Sequence, residues 1–231
     1  MGAVDLARQL QSIKDDGPRI GDAARAGPTD RVVSCPEWTG LDLLAHVCGF
    51  VRFVRDLLDG TATRATPAPV VDGDEALQAY DADVALLLAT LSATPADSPA
   101  PNWSVAPDTA AFWLRRAVHE LAVHRWDAET IADGRPASIA VDVATDGIAE
   151  FFDVFVATGI AAGMVPPTPA TLALELTDTG ERIEYHLPEP GPVTTMRGPA
   201  SDLLLALWRR RDPLAYHAGG DRGVLEAWPK I

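Results

Sequence analysis

Proline and glycine in the first two-thirds of the chain gather into a few short segments, leaving four long stretches of helix-forming sequence between them. That punctuation dictates a helical bundle, because each stretch must bury an apolar stripe against another. Val4 to about Ala24 carries Leu6, Leu10, Ile13 and Ile20 at stripe spacing, with Gly17-Pro18 as an interruption that splits or kinks it. Thr39, with Asp42 three residues on as in a capping box, opens the second stretch, and Gly60 closes it. The proline-rich linker Thr66-Pro67-Ala68-Pro69 precedes the third, Asp74 to Leu91. The loop from Ala93 to Pro107 holds four prolines and leads to Asp108, a natural N-cap. A fourth helix is expected from about Thr109 to Ala132, ending at Gly134 and Pro136.

Beyond Pro136 the texture changes. A helix over Val141 to Val156 leads to Gly159, Gly163 and Pro166-Pro167. Thr171 to Leu176 alternates like a strand, Asp178-Thr179-Gly180-Glu181 forms a hairpin turn, and Arg182 to Leu187 returns. Val193 to Met196 reads as a strand, Ala200 to Arg210 as a Leu-rich helix, Leu214 to His217 as a strand and Val224 to Trp228 as a last helical turn. The expected class is therefore an α+β protein of two domains. A helical bundle occupies residues 1–136, and a small α+β domain residues 137–231.

A 47% hydrophobic content over 231 residues is enough for a sizeable core. The net charge of −14 argues against nucleic acid and against anionic membrane surfaces. Cys35 and Cys48 are too few for a disulfide framework. The first residues, Met-Gly-Ala-Val-Asp-Leu-Ala-Arg, lack the basic-then-apolar order of a secretion signal. Val154 to Val165, the longest apolar run, falls short of the roughly 20 residues a bilayer needs. A cytoplasmic protein is expected. Ala, Arg, Asp and Pro in place of Lys point to a high-GC, actinobacterial source.

The chemistry concentrates in the fourth helix. His119-Glu120-Leu121-Ala122-Val123-His124 is close to the zinc-protease motif, but its histidines stand five apart and diverge. Glu120 and His124, at i and i+4, are the pair that converges. The second helix offers His46, a lone imidazole on an apolar segment, followed by Gly49, which leaves room for a neighbouring helix. Two histidines and a carboxylate with an open fourth position make a catalytic zinc pattern. The same residues also suit blander roles, a satisfied core histidine and a surface Glu–His ion pair.

Three blocks bear a family resemblance. Ser34-Cys35-Pro36-Glu37-Trp38-Thr39-Gly40-Leu41-Asp42-Leu43-Leu44-Ala45-His46 resembles the C-P-x-W-[TS]-x-x-D-x-x-x-H signature of the mycothiol-dependent maleylpyruvate isomerases, a branch of the DinB-like metal-binding bundles. Ala117 to Glu129 is similar to that family's A-x-H-E-x-x-V-H-R-x-D-A-E block, and Gly198 to Arg210 to its G-x-A-x-D-L-L-L-x-L-W-G-R block. The resemblance implies a DinB-like four-helix bundle with a sterol-carrier-like α+β domain. It places the ligands of zinc, or another divalent metal, on His46, Glu120 and His124. It also implies mycothiol as thiol cofactor or cosubstrate, a small electrophile as partner, and a monomer or weak dimer. A catalytic arginine matches Arg210 and would hold a substrate carboxylate. Because Arg209 stands where the family has Gly, the run Arg209-Arg210-Arg211 leaves that match open by one position, and helix-end arginines also answer the helix dipole.

The implied reaction is addition of a metal-activated thiolate to a cis double bond conjugated to a carbonyl. Rotation and loss of the thiol give the trans isomer, and retention of the thiol gives S-transfer. A thiol-independent metallohydrolase and a non-catalytic metal or ligand-binding bundle are the alternatives. Other residues carry less. Cys48 points away from His46, Cys35 packs the bundle end, and His119 reads as structural. Trp113 and Arg116 share the face of Glu120, where they line or pack a pocket. Phe50 and Phe53 read as core, and His186 as a sheet residue. Tyr216 and His217 have no assignable role.

Overall fold

The computed structural model describes residues 5–63, 66–131, 134–164 and 169–226. The chain divides into two compact units, Met1–Ala137 and Ser138–Ile231.

The first unit is built on four long helices: α1 (Leu6–Ala26), α2 (Gly40–Leu58), α3 (Gly73–Ala93) and α4 (Ala110–Glu129). α1 packs on α3 and α4, and α2 on α3 and α4. Pro18 neither splits nor ends α1, which runs on past it. The proline removes only one helical hydrogen bond, and the tight packing of Ile13 and Ile20, both fully buried, holds the helix together. Tyr80 on α3 donates its hydroxyl to the Gly17 carbonyl at 2.9 Å. Leu6 lies half-exposed at the helix start, off the stripe expected for it.

α2 begins with the capping box its sequence announces. The Thr39 side chain accepts from the Asp42 backbone, and Asp42 Oδ2 accepts from the Thr39 N–H at 2.8 Å. Asp108, the expected cap of α4, does other work. Thr109 takes the N-cap position, while Asp108 accepts from the Asn102 backbone and side chain and so ties down the proline loop. α4 ends at Glu129, ahead of the expected Ala132, which lies outside the described residues. The segment before α2 forms a small antiparallel hairpin of β1 (Arg31–Val32) and β2 (Cys35–Thr39).

Buried Arg125 staples the bundle. It donates to Asp16 on α1 at 3.0 Å, to Glu129 one turn on at 2.9 Å, and to the Ala137 carbonyl where the chain leaves α4. Glu129 in turn accepts from the Ala137 N–H at 2.9 Å and pairs with Arg19.

The second unit opens with α5 (Val141–Glu150), which continues through a π-helical turn at Phe151–Val156 into α6 (Ala157–Ala161). Pro166 and Pro167 lie outside the described residues. The strands β3 (Ala170–Leu176), β4 (Arg182–Leu187), β5 (Val193–Gly198) and β6 (His217–Gly219) form one sheet in the order β4-β3-β5-β6. β3 pairs antiparallel with β4 and parallel with β5, whose other edge takes β6 antiparallel. α7 (Ala200–Leu207) contacts β3, β5 and α5. The expected strand from Leu214 is a 3-10 turn over Pro213–Tyr216 that leads into β6. α8 (Arg222–Glu226) ends the described chain, short of Trp228. No helix among the described residues is long and apolar enough to cross a membrane.

Candidate metal centre

α4 is buried on nearly every side, so its polar side chains need partners. On one face Arg116, Glu120 and His124 follow at four-residue spacing. Arg116 Nη2 donates to Glu120 Oε2 at 3.1 Å. The other carboxylate oxygen, Oε1, lies 3.1 Å from His46 Nε2 on α2 and 3.2 Å from His124 Nε2. One donor atom from each of His46, Glu120 and His124 falls within 4.8 Å of the others. With zinc–ligand bonds of 2.0–2.1 Å in tetrahedral geometry, donor atoms stand about 3.3 Å apart. The observed separations to Glu120 Oε1 fit that geometry. His46 is 41% exposed against 7% for His124, so the cluster opens on the His46 side.

His124 is fixed from behind. Its Nδ1 lies 3.0 Å from Asp127 Oδ2, and Asp127 is fully buried. Ser34, between β1 and β2, donates to Asp127 Oδ1 at 2.6 Å. An ionised carboxylate only accepts, so Nδ1 carries the proton and Nε2 faces Glu120. Trp38 from β2 covers the imidazoles, with ring centroids 4.8 Å from His46 and 6.1 Å from His124.

Burial works against a charged His124, but Glu120 and Asp127 on its two nitrogens outweigh it and raise its pKa to about 9. Burial likewise favours a neutral Glu120, yet the His124 and His46 imidazoles and Arg116 hold its carboxyl well below the usual range. A cation held at Nε2 would take the place of the ring proton beside an ionised Glu120 carboxylate. Two imidazoles and one carboxylate are a borderline-soft donor set that suits zinc.

Other candidates separate from this cluster. Cys48 is buried, and desolvation pushes its thiol up to about 12, which removes it as a nucleophile. His119 is buried on another face of α4. His186 sits on β4 with Nδ1 3.2 Å from Thr171 Oγ1, as a sheet residue does. His217 Nε2 donates to the Gly220 carbonyl at 3.3 Å. Gly49 makes room for the linker, not for a helix: a Cβ there would stand 2.6 Å from the Pro69 carbonyl oxygen. Phe50 and Phe53 face a cleft beside His46 and are not core residues.

The arginine run at the end of α7 divides its work. Arg209 has φ 56°, the left-handed region where glycine is at ease, which accounts for Gly at that place in the family block. Its side chain donates to the Leu225 and Glu226 carbonyls. Arg211 pairs with Asp202 at 3.1 Å. Arg210, half-buried, donates to the Trp208 carbonyl at 3.1 Å.

Sequence reasoning passed over Asp127, Ser34 and Trp38. All three lie inside the quoted blocks, and His124-x-x-Asp127 is a helical i,i+3 pair, so a signal was present.

Fold and side chains define a two-domain α+β protein with a two-histidine, one-carboxylate cluster in its bundle. The chain matches the mycothiol maleylpyruvate isomerase N-terminal domain over residues 10–129 and the C-terminal domain of the same family over residues 142–227. It belongs to the mycothiol-dependent maleylpyruvate isomerase family, a family of isomerase enzymes. Two crystal structures share the fold: a mycothiol-dependent maleylpyruvate isomerase, and a histidine-to-alanine mutant of that enzyme. Both are 14% identical to this chain and cover 90% of it and 92% of their own length, with TM-scores of 0.68 and 0.69. No curated protein shows significant sequence similarity to the chain.

Proposed function

We propose that this protein is a zinc-dependent enzyme that uses mycothiol to attack a small electrophile, in a cis–trans isomerisation of the maleylpyruvate type or in thiol S-transfer. The observation that carries this reading is the convergence of His46 Nε2 and His124 Nε2 on Glu120 Oε1, on a cluster open on one side. His46, Glu120 and His124 would hold the metal. Zinc bound there would supply an open position at which a thiol is held as the thiolate nucleophile.

The chain's own residues set up that position. Arg116 occupies Glu120 Oε2 and so directs Oε1 at the imidazoles. Ser34 and Asp127 fix the His124 ring and its tautomer. Trp38 keeps water from one side of both rings. Arg210 is proposed to bind a substrate carboxylate, and the glycine-like backbone of Arg209 supports that register within the arginine run.

The deciding experiment uses protein purified without a metal-chelating tag. Bound zinc is measured, and mycothiol is titrated against native and His46→Ala protein. Stoichiometric zinc with thiol binding that disappears in His46→Ala is expected. Zinc without thiol affinity would favour the hydrolase or binding role, and absence of zinc would end the metal assignment. Arg210→Ala should lower turnover of carboxylate electrophiles by roughly 10–100-fold and leave zinc content unchanged, in line with loss of a charge-assisted pair.

A further inference from the structure

A cleft of about 410 Å³ adjoins the exposed side of the cluster, with His46 as a shared wall. Gly49, Phe50 and Phe53 on α2 form one side, and Pro69, Val70 and Val71 of the α2–α3 linker the other. Its shape depends on Gly49, since any side chain there would push the Pro69 carbonyl away. Phe53 packs edge-on against Trp113, at 5.8 Å and 86°, and Trp113 is itself fixed by its indole N–H to the Pro101 carbonyl at 3.1 Å. The aromatic wall is thus anchored before any ligand arrives. Val70 exposes its entire side chain on the lip, apolar surface that a bound group would cover.

Among the described residues of this lining, His46 is the only titratable side chain. Away from His46 and the metal it would hold, a carboxylate placed against the described walls would lose water and meet no cationic side chain. An apolar ring loses nothing and buries its surface against two phenylalanines and a proline. A cavity of roughly 150 Å³ is enough for benzene, so this cleft has room for a substituted or fused ring.

We propose that the cleft is an acceptor subsite for an apolar, aryl-sized group, so that the electrophile this enzyme takes bears such a group. Identifying the occupant as the electrophile rests on the zinc–thiol reading above; the preference of the cleft for apolar rings does not.

Fluorobenzene, which has no reactive group, serves as the probe. Fluorine NMR follows its binding to the full-length protein, to Val70→Asp and to Phe50→Ala, with zinc content measured in each. Val70 is wholly exposed, so its replacement leaves folding intact. Native protein should broaden the fluorine line, maleate should fail to compete, and both variants should weaken binding roughly tenfold. With zinc and mycothiol present, the KM of an aryl electrophile such as chlorodinitrobenzene should rise by a similar factor in the same variants. Absence of probe binding, equal binding in all three proteins, or displacement by maleate would overturn the subsite. Probe binding with the expected variant effects, but without thiol-dependent turnover of any electrophile, would leave the apolar cleft standing and reject the zinc–thiol reading.

Discussion

The two units handle buried polarity in different ways. In the bundle the buried polar side chains are largely charged, among them Asp16, Asp83, Arg116, His124, Arg125 and Asp127. In the α+β unit they are mostly hydroxyls, Thr145, Thr171, Thr194 and Ser201, with Glu150 as the buried acid. Its arginines mainly stay near the surface, where Arg182 and Arg211 pair with exposed or half-exposed carboxylates. Buried charge is expensive unless it is paired, so its concentration marks where a chain gains something besides stability. α4 carries two such networks. Arg116, Glu120, His124 and Asp127 make the candidate centre, and Arg125 with Asp16 and Glu129 makes a staple.

If those networks are separate, single replacements should divide their effects cleanly. The largest change is expected for Glu120→Ala, which removes the atom on which both imidazoles converge. Zinc measured by elemental analysis should fall to background, and turnover by at least about a thousandfold. Arg125→Met should cost about 3–5 kcal/mol in urea unfolding, because it leaves the Asp16 carboxylate buried and unpaired. The fraction that stays folded should keep its zinc. Loss of zinc from folded Arg125→Met protein would join the two networks into one.

Asp127→Asn is expected to keep the fold and weaken zinc binding about 10–100-fold in a chelator competition, as loss of an orienting carboxylate does. The pH dependence sharpens the point. His124 is protonated below about 9, and zinc needs the neutral ring. Zinc affinity should therefore rise as pH increases, by about tenfold per unit, and level off near 9. In Asp127→Asn the plateau should begin at lower pH, since one of the two raising carboxylates is gone. A native affinity that stays flat from pH 6 to 9 would contradict the assigned charge on His124. The smallest effect belongs to the α+β unit. Arg209→Gly relieves a left-handed backbone worth about 1 kcal/mol but loses bonds to the Leu225 and Glu226 carbonyls. The melting temperature should move by only a few degrees, and zinc not at all.

Local signals carried far along this chain. Thr39 and Asp42 form the capping box their spacing announces, and β3, the hairpin turn and β4 fall where alternation and turn residues put them. Signals that depend on distant partners were misread. Gly17-Pro18 reads as a split or a kink, and the split does not occur, because packing carries α1 through it. Asp108 looked like a cap, but Asn102 claims its carboxylate. Phe50 and Phe53 have the spacing of a core stripe. What places them on a cleft is the position of Pro69 and Val70, which no helical period encodes.

The sequence by itself determined the helices, their order, and the meeting of Glu120 with His124, because helical geometry brings i and i+4 together whatever surrounds them. It also nominated His46. Only the tertiary structure decided that His46 lies against Glu120 from 74 positions away, that Asp127 and Ser34 stand behind His124, and that an apolar cleft opens beside them. Those are contacts between segments whose separation along the chain carries no fixed distance, and packing alone sets it.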